Sequence, residues 1–313
     1  MKTMRQGPVP GLEDTMKLFT EEEKTMHLRS NHATYDPRCE LCVQTRGLTR
    51  HTKRTEAETV NFDYAIVKNI DNQQQVHTLL IGGGPRGETF ARRVPRKGAK
   101  LEDLEKFLEV VKSRYGQITC MSDQEECLVQ VLRPAALKLG LPVAQTPVEQ
   151  YQANGRAEQR VRTMKERLHI TVAESRKAGI QILNSTTLTS WAVRHAEWTA
   201  NHLVRNDVEM VDGTTIKVSP FEAHTGQSAP TKLAAYLERI LVRAREEDPK
   251  QPRWKVGWLL GMVGGDVVVL EENGASRRYG AWRHSPVPND DTNKEELEKA
   301  VKLIKEPNFK TTG

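Results

Sequence analysis

The chain has 313 residues, with 47 Lys and Arg against 41 Asp and Glu, so its formal net charge at pH 7 is +6. This length exceeds one ordinary domain and predicts two or three. The charge permits binding to a polyanion but does not require it. No apolar run approaches the ~20 residues of a membrane-spanning helix, and the polar N-terminus lacks the apolar core of a signal peptide. We therefore expect a soluble protein that is not secreted.

A candidate metal-binding segment follows a lead-in (residues 1–16) that we expect to be flexible. Thr20 and the three glutamates after it predict a helix start. Two histidines and two cysteines then come close together in the sequence: His27, His32, Cys39 and Cys42. Two imidazoles and two thiolates suit a tetrahedral structural Zn²⁺, and a reducing compartment with a metal site fits better than a disulfide framework. The alternative is that these residues are incidental surface side chains.

A basic stretch comes after the second cysteine. It contains Arg46, Arg50, His51, Lys53 and Arg54. Such a stretch is either a solvated connector or a strap that contacts phosphates.

The next part of the chain predicts strands and helices in a regular order. Residues 59–67 alternate as a strand does, with Asp63 in the middle of an otherwise uncharged run, and residues 117–122 form a short strand that ends at Asp123. The remaining predicted elements are strands at 76–81, 88–94 and 142–147, and helices at 101–115 and 125–139. The glycine cluster at 82–87 predicts a hairpin turn, because a strand follows it where a nucleotide-phosphate loop needs a helix.

A long helix begins just before Glu158, after the turn pair Asn154-Gly155, and continues to Gly179. Its apolar stripe consists of Ala157, Val161, Met164, Leu168 and Val172. A second stripe beside it consists of Glu158, Arg162, Lys165 and His169. Taken alone, Glu158 is more typical of a first-turn acid that complements the helix dipole than of a functional residue.

Three acidic motifs together resemble those of integrases from long-terminal-repeat retrotransposons and retroviruses. They are Phe62-Asp63-Tyr64, Ser122-Asp123-Gln124-Glu125 and Gln152-Ala153-Asn154-Gly155-Arg156-Ala157-Glu158-Gln159. The resemblance extends from near His27 to about Pro288. It implies an α/β, ribonuclease-H-like core, in which a five-stranded mixed sheet is flanked by helices. The first and fourth strands are neighbours there, so Asp63 and Asp123 would lie side by side with the Glu158 helix crossing above them.

The resemblance also implies a chemistry and a set of metals. Asp63 would bridge two Mg²⁺ (or Mn²⁺) ions, Asp123 would bind one and Glu158 the other, and water or a DNA 3′-hydroxyl would be the nucleophile. Asp71 is an alternative first acid, but it lies in a predicted turn, which fixes a ligand less well than a central strand. Integrases carry a His-His-Cys-Cys zinc element as well. Only six residues separate His32 from Cys39 here, so we expect a reduced zinc knuckle.

Candidate DNA contacts lie in two parts of the chain, the predicted core and the predicted C-terminal barrel. Tyr151 and Gln152 occupy the loop that touches the DNA end in the family, and Arg162 and Lys165 share the Glu158 face. Solvation is the alternative role for all four side chains. Near the C-terminus, the candidates are Arg277, Arg278 and Arg283, for which plain solvation is again the alternative.

The C-terminal third predicts a further helix at 186–204, whose tryptophans Trp191 and Trp198 we interpret as packing rather than base-stacking residues. Residues 218–226 resemble the segment that closes the core in retrotransposon integrases. We then expect a linker helix at 231–237 and a small SH3-like β-barrel within 240–288. Residues 289–313 predict a mobile tail with one short helix at 294–304.

These predictions divide the chain into an N-terminal zinc element with its basic linker (1–54), a catalytic core (55–230), a linker helix with the barrel (231–290) and a tail (291–313). The resemblance implies a nuclear, intracellular enzyme that trims and joins double-stranded DNA (element ends to target), acts as a homo-oligomer and is not membrane-bound. Two alternatives remain open. One is a catalytically idle relative that binds DNA or a partner, and the other is a plain ribonuclease H.

Overall fold

The computed structural model describes most of the chain. The described residues are 20–34, 36, 38–45, 58–69, 75–123, 125–145, 155–177, 179–209, 214–243, 253–287 and 291–305. The lead-in (1–16), the basic stretch (46–54), the alternative acid Asp71 and the loop residues Tyr151 and Gln152 lie outside these ranges, so their predicted roles stay predictions.

The N-terminal described segment, residues 20–45, contains two short helices, α1 (Glu21–Arg29) and α2 (Glu40–Thr45). We call it the zinc segment. Helix α1 begins where the sequence predicts, because the Thr20 hydroxyl accepts a hydrogen bond from the Glu23 amide and the Glu23 carboxylate accepts one from the Thr20 amide. This reciprocal pair satisfies two of the amides that a helix start leaves free.

The core is a five-stranded mixed sheet. Its strands are β1 (Thr59–Lys68), β2 (Val76–Gly83), β3 (Thr89–Val94), β4 (Thr119–Ser122) and β5 (Val143–Gln145). The spatial order is β3-β2-β1-β4-β5, with β1, β2 and β3 antiparallel and β4 parallel to both β1 and β5. The predicted ribonuclease-H-like arrangement, with the first and fourth strands adjacent, is therefore confirmed.

Helices cover both faces of this sheet. They are α3 (Glu102–Tyr115), α4 (Glu126–Lys138), α5 (Gly155–Lys177) and α6 (Thr186–His202), with a single 3₁₀ turn (Ile182–Asn184) between the last two. Phe62 and Leu80 pack with α3 and α4 on one face, whereas Ala65 and Ile81 pack with α5 and α6 on the other. This division follows from the strand period of two, which sends successive side chains to opposite faces.

The predicted stripe of α5 forms its buried face. Ala157, Met164 and Leu168 are fully buried, Val172 is buried, and Val161 packs at the edge of the same cluster. The two tryptophans of α6 are buried as well, so the interpretation of Trp191 and Trp198 as packing residues is confirmed.

A two-stranded antiparallel sheet, which the sequence analysis does not predict, follows α6 in the chain. Its strands are β6 (Asn206–Glu209) and β7 (Thr215–Val218), and they pair in antiparallel register. Helix α7 (Pro220–Thr225) comes next, in the segment predicted to close the core, with Ser219 as N-cap and a Ser219–Glu222 capping box. Strands of four residues are too short to show a clear alternation of apolar and polar residues in the sequence.

The C-terminal part is a second five-stranded sheet, antiparallel throughout. Its strands are β8 (Arg239–Arg243), β9 (Trp254–Val263), β10 (Asp266–Leu270), β11 (Ser276–Tyr279) and β12 (Trp282–His284). The order is β11-β10-β9-β8-β12, so the last strand pairs with the first. This is the strand order of an SH3-like meander, as predicted. Trp258 and Leu260 of β9 join the cluster that contains Trp191 of α6, so the second sheet packs directly on the core.

The predicted linker helix at 231–237 is wrong. Residues 231–237 are not helical, and Leu237 has a φ of 60°. The local backbone hydrogen bonds to other partners, since the Leu237 amide donates to the Leu259 carbonyl (2.7 Å) and the Ala235 amide to the Glu238 carboxylate (2.8 Å). Burial of Leu233, Ala234 and Leu237 in the two cores outweighs a modest helix propensity.

The short helix predicted at 294–304 is confirmed, whereas the expectation that this tail is mobile is wrong for residues 291–305. They form helix α8 (Asp291–Leu303), whose Leu297 and Ala300 are buried in the cluster shared by α6 and β9. The Trp191 indole donates to the Lys305 carbonyl (3.3 Å). A low overall hydropathy hid the narrow apolar stripe on which the docking of this helix depends.

Within the described part of the chain, no helix combines the length and the apolar character that a membrane span requires.

Candidate metal centres

The four predicted zinc ligands converge at one point in the zinc segment. His27 Nε2 lies 2.9 Å from His32 Nδ1 and 3.2 Å from Cys42 Sγ. His32 Nδ1 lies 3.2 Å from Cys39 Sγ and 3.6 Å from Cys42 Sγ. All four ligand atoms are within 4.8 Å of one another. The prediction that these side chains form one group is therefore confirmed.

The group fits Zn²⁺ by its chemistry and by its size. Bonds of 2.0–2.3 Å to a tetrahedral zinc place neighbouring ligand atoms roughly 3.3–3.8 Å apart, close to the separations found here. Burial of His32 and Cys42 closes the site to solvent on that side, and both cysteines are free thiols. Four protein ligands leave no open position, as in structural rather than catalytic zinc sites. This group could bind zinc.

The zinc segment also touches the C-terminal part of the chain. Arg29 Nη2 donates to Glu238 Oε1 (3.1 Å), and His284 Nδ1 lies 2.9 Å from the same oxygen. Glu238 precedes β8, and His284 ends β12. One carboxylate thus connects α1 with the start and the end of the second sheet.

Asp63 and Asp123 are brought together by the parallel pairing of β1 with β4. In that register Phe62 is opposite Ser122, so the two aspartates follow the paired residues side by side. Asp63 Oδ1 accepts from the Tyr64 amide (2.6 Å), and Asp123 Oδ1 accepts from the Glu125 amide (3.1 Å) at the start of α4. Each carboxylate is thereby anchored through one oxygen by a backbone amide.

The pKa of Asp63 is raised to about 6, mainly by burial and also by the negative charges of Asp123 and Glu125, against the opposing effects of the Tyr64 amide and Lys97. Lys97 hydrogen bonds to Glu125, which raises the pKa of the lysine. A carboxylate that is half buried and repelled by a neighbouring acid is poised to accept a cation. The pair therefore fits a hard divalent ion such as Mg²⁺, whose preferred ligands are oxygens.

Glu158 lies in the first turn of α5, and its side chain is exposed. Helix α5 packs on β1 and β2. Asp63 alternates in β1 with Ala65 and Val67, which face α5, so Asp63 and Glu158 belong to the same side of the sheet. Among the described residues, the one group of three or more His, Cys, Asp or Glu side chains compact enough to hold an ion is the zinc group. The acidic triad as a ligand set stays a prediction.

The candidate DNA contacts that the structure describes are exposed or partly exposed and mostly have acidic neighbours. Arg162 Nε lies 3.7 Å from Glu166, Arg277 Nε 3.7 Å from Glu271, and Arg278 Nε 2.8 Å from Asp266. Arg283 stacks over the Trp254 ring at 4.4 Å, and Lys165 is partly buried. A phosphate would have to compete with these carboxylates, and exposed pairs of this kind are weak enough to be displaced.

Four residues around the two centres are not predicted as site residues by the sequence: Lys97 and Glu125 at the acidic pair, and Arg167 and Glu174 at the zinc segment. Glu125 is the last residue of the motif Ser122-Asp123-Gln124-Glu125, two positions after Asp123, so the sequence alone indicates a further acid there. The other three act across long sequence separations, and no local pattern signals such contacts.

Among known proteins, the chain has only distant structural neighbours. No protein-family model matches the chain, and no curated protein matches it. One similar solved structure is a chain of the simian T-cell lymphotropic virus intasome in complex with PP2A regulatory subunit B56 gamma, 13% identical over 85% of this chain and 98% of that chain, with a TM-score of 0.38. Another is the catalytic core domain of BIV integrase, 16% identical over 54% of this chain and 95% of that chain, with a TM-score of 0.35.

Proposed function

We propose that this chain is a retrotransposon-type integrase, a metal-dependent polynucleotidyl transferase that processes DNA 3′ ends and joins them to target DNA. The observation that carries the proposal is the adjacency of Asp63 and Asp123 at paired, parallel strands of a ribonuclease-H-like sheet. The third acid, Glu158, begins the helix that covers the same side of that sheet.

Asp63, Asp123 and Glu158 would hold two Mg²⁺ (or Mn²⁺) ions. Bound divalent ions supply activation of the attacking oxygen and stabilisation of the leaving oxygen at a phosphodiester. The protein holds Asp63 and Asp123 in place through the Tyr64 and Glu125 amides, which leaves the second oxygen of each carboxylate available. Lys97, ion-paired with Glu125 beside them, offsets part of the negative charge that two adjacent aspartates create.

Both reactions of an integrase are displacements at phosphorus. Water attacks in end processing, and the DNA 3′-hydroxyl that processing leaves attacks in joining, so one site serves both. Substrate DNA would extend along the exposed face of α5 past Arg162 and Lys165, and over Arg277 and Arg278 of β11. Phosphate contacts of this kind position the duplex without reading its sequence.

The remaining parts of the proposal concern assembly. The zinc segment would bind one structural Zn²⁺ through His27, His32, Cys39 and Cys42. Joining two DNA ends to one target favours a homo-oligomer, and access to chromosomal target DNA requires a nuclear location.

A second candidate is a catalytically idle integrase-like protein that binds DNA or a partner. One observation favours it: the Glu158 side chain is exposed and is not part of a compact ligand group among the described residues. A plain ribonuclease H, by contrast, needs neither the zinc segment nor the second sheet.

A strand-transfer assay with a short DNA end and Mg²⁺ tests the proposal. We expect the wild type to form joined products, and Glu158→Gln and Asp123→Asn to lose them. Glu109→Gln, the same chemical change on the exposed face of α3, is the matched control and should retain wild-type joining. Joined product from Glu158→Gln at the wild-type rate would contradict the ligand assignment, and DNA binding without any joining by the wild type would favour the idle protein.

A further inference from the structure

The zinc segment rests on the C-terminal half of α5, at the opposite end of the helix from Glu158. The side chain that makes this contact is Arg167, which is only 3% exposed. Its Nη1 donates to the Asn31 carbonyl (2.9 Å) and to the His32 carbonyl, and its Nη2 donates to the Ala33 carbonyl (2.8 Å). A single guanidinium thus binds three consecutive carbonyls of the turn that carries the second zinc ligand.

That turn has an unfavourable backbone. Asn31 and His32 have φ values of 49° and 52°, in the left-handed region that residues other than glycine occupy at a cost. Three carbonyls that converge on one side of the turn need a donor, and Arg167 provides it through charge-assisted hydrogen bonds. The conformation of His32, and with it the direction of its ring, therefore depends on a residue of α5.

Two further side chains of α5 contact the same turn. Asn31 Nδ2 donates to Thr171 Oγ1 (3.2 Å), and a carboxylate oxygen of Glu174 lies 3.8 Å from His32 Nε2. Residues 167, 171 and 174 follow one another on one face of the helix at the spacing of successive turns. His32 directs its other ring nitrogen, Nδ1, toward the cysteine thiols.

A carboxylate next to the distal nitrogen of a zinc-bound histidine is a recurrent outer-shell arrangement, in which a hydrogen bond between the two fixes the tautomer and raises the basicity of the ligand. At 3.8 Å, the Glu174 carboxylate is at ion-pair distance from His32, beyond the length of a hydrogen bond. Here the acid comes from the core helix and not from the zinc segment. Local sequence therefore supplies the ligands, and α5 supplies the residues that orient one of them.

We propose that α5 completes the zinc site, with Glu174 and Arg167 as positioning residues for His32, so that zinc binding and the order of the C-terminal half of α5 are thermodynamically coupled. The proposal rests on the zinc binding proposed above. Thermodynamic coupling is reciprocal. The free energy by which contacts with α5 strengthen zinc binding therefore equals the free energy by which bound zinc stabilises α5.

Zinc affinity of the full chain, measured by competition with a chromophoric chelator, tests the role of Glu174. We expect Glu174→Gln to weaken zinc binding about 10–100-fold, the usual effect of losing an outer-shell partner. Glu166→Gln, on the same helix and paired with Arg162, is the matched control and should bind zinc as the wild type does. Equal affinity of Glu174→Gln and the control would overturn the proposal.

Cobalt substitution separates positioning from general stability. Co²⁺ in the wild type should show tetrahedral ligand-field bands with thiolate charge transfer, and Glu174→Gln should shift the ligand-field bands while the thiolate band remains. Unchanged bands count against an outer-shell role. A wild type that binds neither metal would contradict the zinc site itself. A wild type that binds metal, with bands that Glu174→Gln does not change, would contradict only the role of Glu174.

Amide hydrogen exchange tests the reciprocal effect. Adding zinc to the metal-free wild type should slow exchange in residues 167–177. Arg167→Met, saturated with zinc, should lose that protection, and Arg167→Lys should restore part of it; Arg162→Met serves as the control on the same helix. If Arg167→Met does not fold, Glu174→Gln carries the measurement. Exchange in α5 that is insensitive to zinc in the folded wild type would overturn the coupling.

Discussion

The zinc segment and the acidic pair are assembled to different degrees. In the zinc segment all four ligand atoms lie within 4.8 Å of one another. At the acidic pair the strand pairing brings Asp63 and Asp123 together, but Glu158 stays exposed at a helix start. The first centre is closed, and the second is open on one side.

The difference follows from what holds the ligands. Thiols and neutral imidazoles can approach one another without a metal because they carry little charge. Burial is the main cause of the raised pKa of Asp63, and repulsion by the charges of Asp123 and Glu125 adds to it. Because carboxylates repel one another, a third acid gains nothing by joining two others until a cation is present. A structural site is therefore visible in the protein alone, whereas a catalytic carboxylate site needs its ions and substrate to close.

The largest effect that we expect comes from the acidic pair. Asp63→Asn or Asp123→Asn should lower the rate of DNA joining at least about 10³-fold, because several kcal/mol of transition-state stabilisation depend on charged oxygen ligands. Joining measured with Mg²⁺ and with Mn²⁺ checks this. Wild-type rates for both variants would show that the open centre is not an active site. Unchanged zinc content in the same samples would show that the closed centre is independent of it.

Removing zinc should have the next largest effect, this time on stability. With free zinc at 100 times Kd, the metal contributes about 2.7 kcal/mol to the free energy of unfolding, and a chelator removes that contribution. Cys42→Ser, which alters a fully buried ligand, should bind less zinc and unfold at the midpoint of the chelated wild type. Zinc content and thermal unfolding check this. A wild type whose midpoint of thermal unfolding changes with neither zinc nor chelator would contradict the zinc site.

The acidic pair should also make metal-free stability depend on pH. The pKa of Asp63 is raised from 3.8 to about 6, so the folded protein binds its proton more tightly than the unfolded chain does. This contribution to stability is complete below about pH 3.8 and is lost as the pH rises through about 6. The stability difference between the wild type and Asp63→Asn isolates Asp63 and the groups that interact with it, because the contributions of all distant groups cancel.

Between pH 4 and pH 6, we expect the wild type to lose stability relative to Asp63→Asn. Mg²⁺ at pH 7 should restore part of that lost stability. Urea denaturation at several pH values measures it. A difference that does not vary with pH would contradict the assigned environment of Asp63.

The sequence predicts the features that depend on neighbouring residues, and it misses those that depend on contacts between distant parts of the chain. The Asp63 strand, the α5 stripe and the order of the core elements follow from local periodicity, and the His27–Cys42 spacing indicated the zinc ligands. The linker helix failed because the Leu237 amide pairs with Leu259 across the second sheet. Short strands such as β6 and β12 have too few residues to alternate visibly.

The sequence also does not predict the supporting residues of the two centres, because their contacts join distant parts of the chain. Arg167 lies more than a hundred positions from the turn that it binds, and Lys97 joins the acidic pair from the loop before α3. The docking of α8 likewise depends on Leu297 and Ala300 meeting a cluster built by α6 and β9. Such contacts are products of the fold and leave no local signature.

The smallest effect concerns the second sheet. Arg277→Gln and Arg278→Gln should each weaken DNA binding a few-fold and reduce the slope of log affinity against log salt by about 0.9, because each loses one phosphate contact. Lys138→Gln, an exposed lysine on α4, is the charge-matched control. Fluorescence anisotropy over a salt series checks this. A slope equal to that of the control would assign both arginines to their Glu271 and Asp266 pairs alone.

The most direct test of the central claim is a crystal structure of the protein soaked with Mn²⁺, with anomalous scattering used to locate the ions. Our account predicts manganese bound by Asp63 and Asp123, with the Glu158 side chain turned in as a further ligand, and zinc at His27 and Cys42. Manganese absent from the aspartates at saturating concentration, with the zinc site filled, would contradict it.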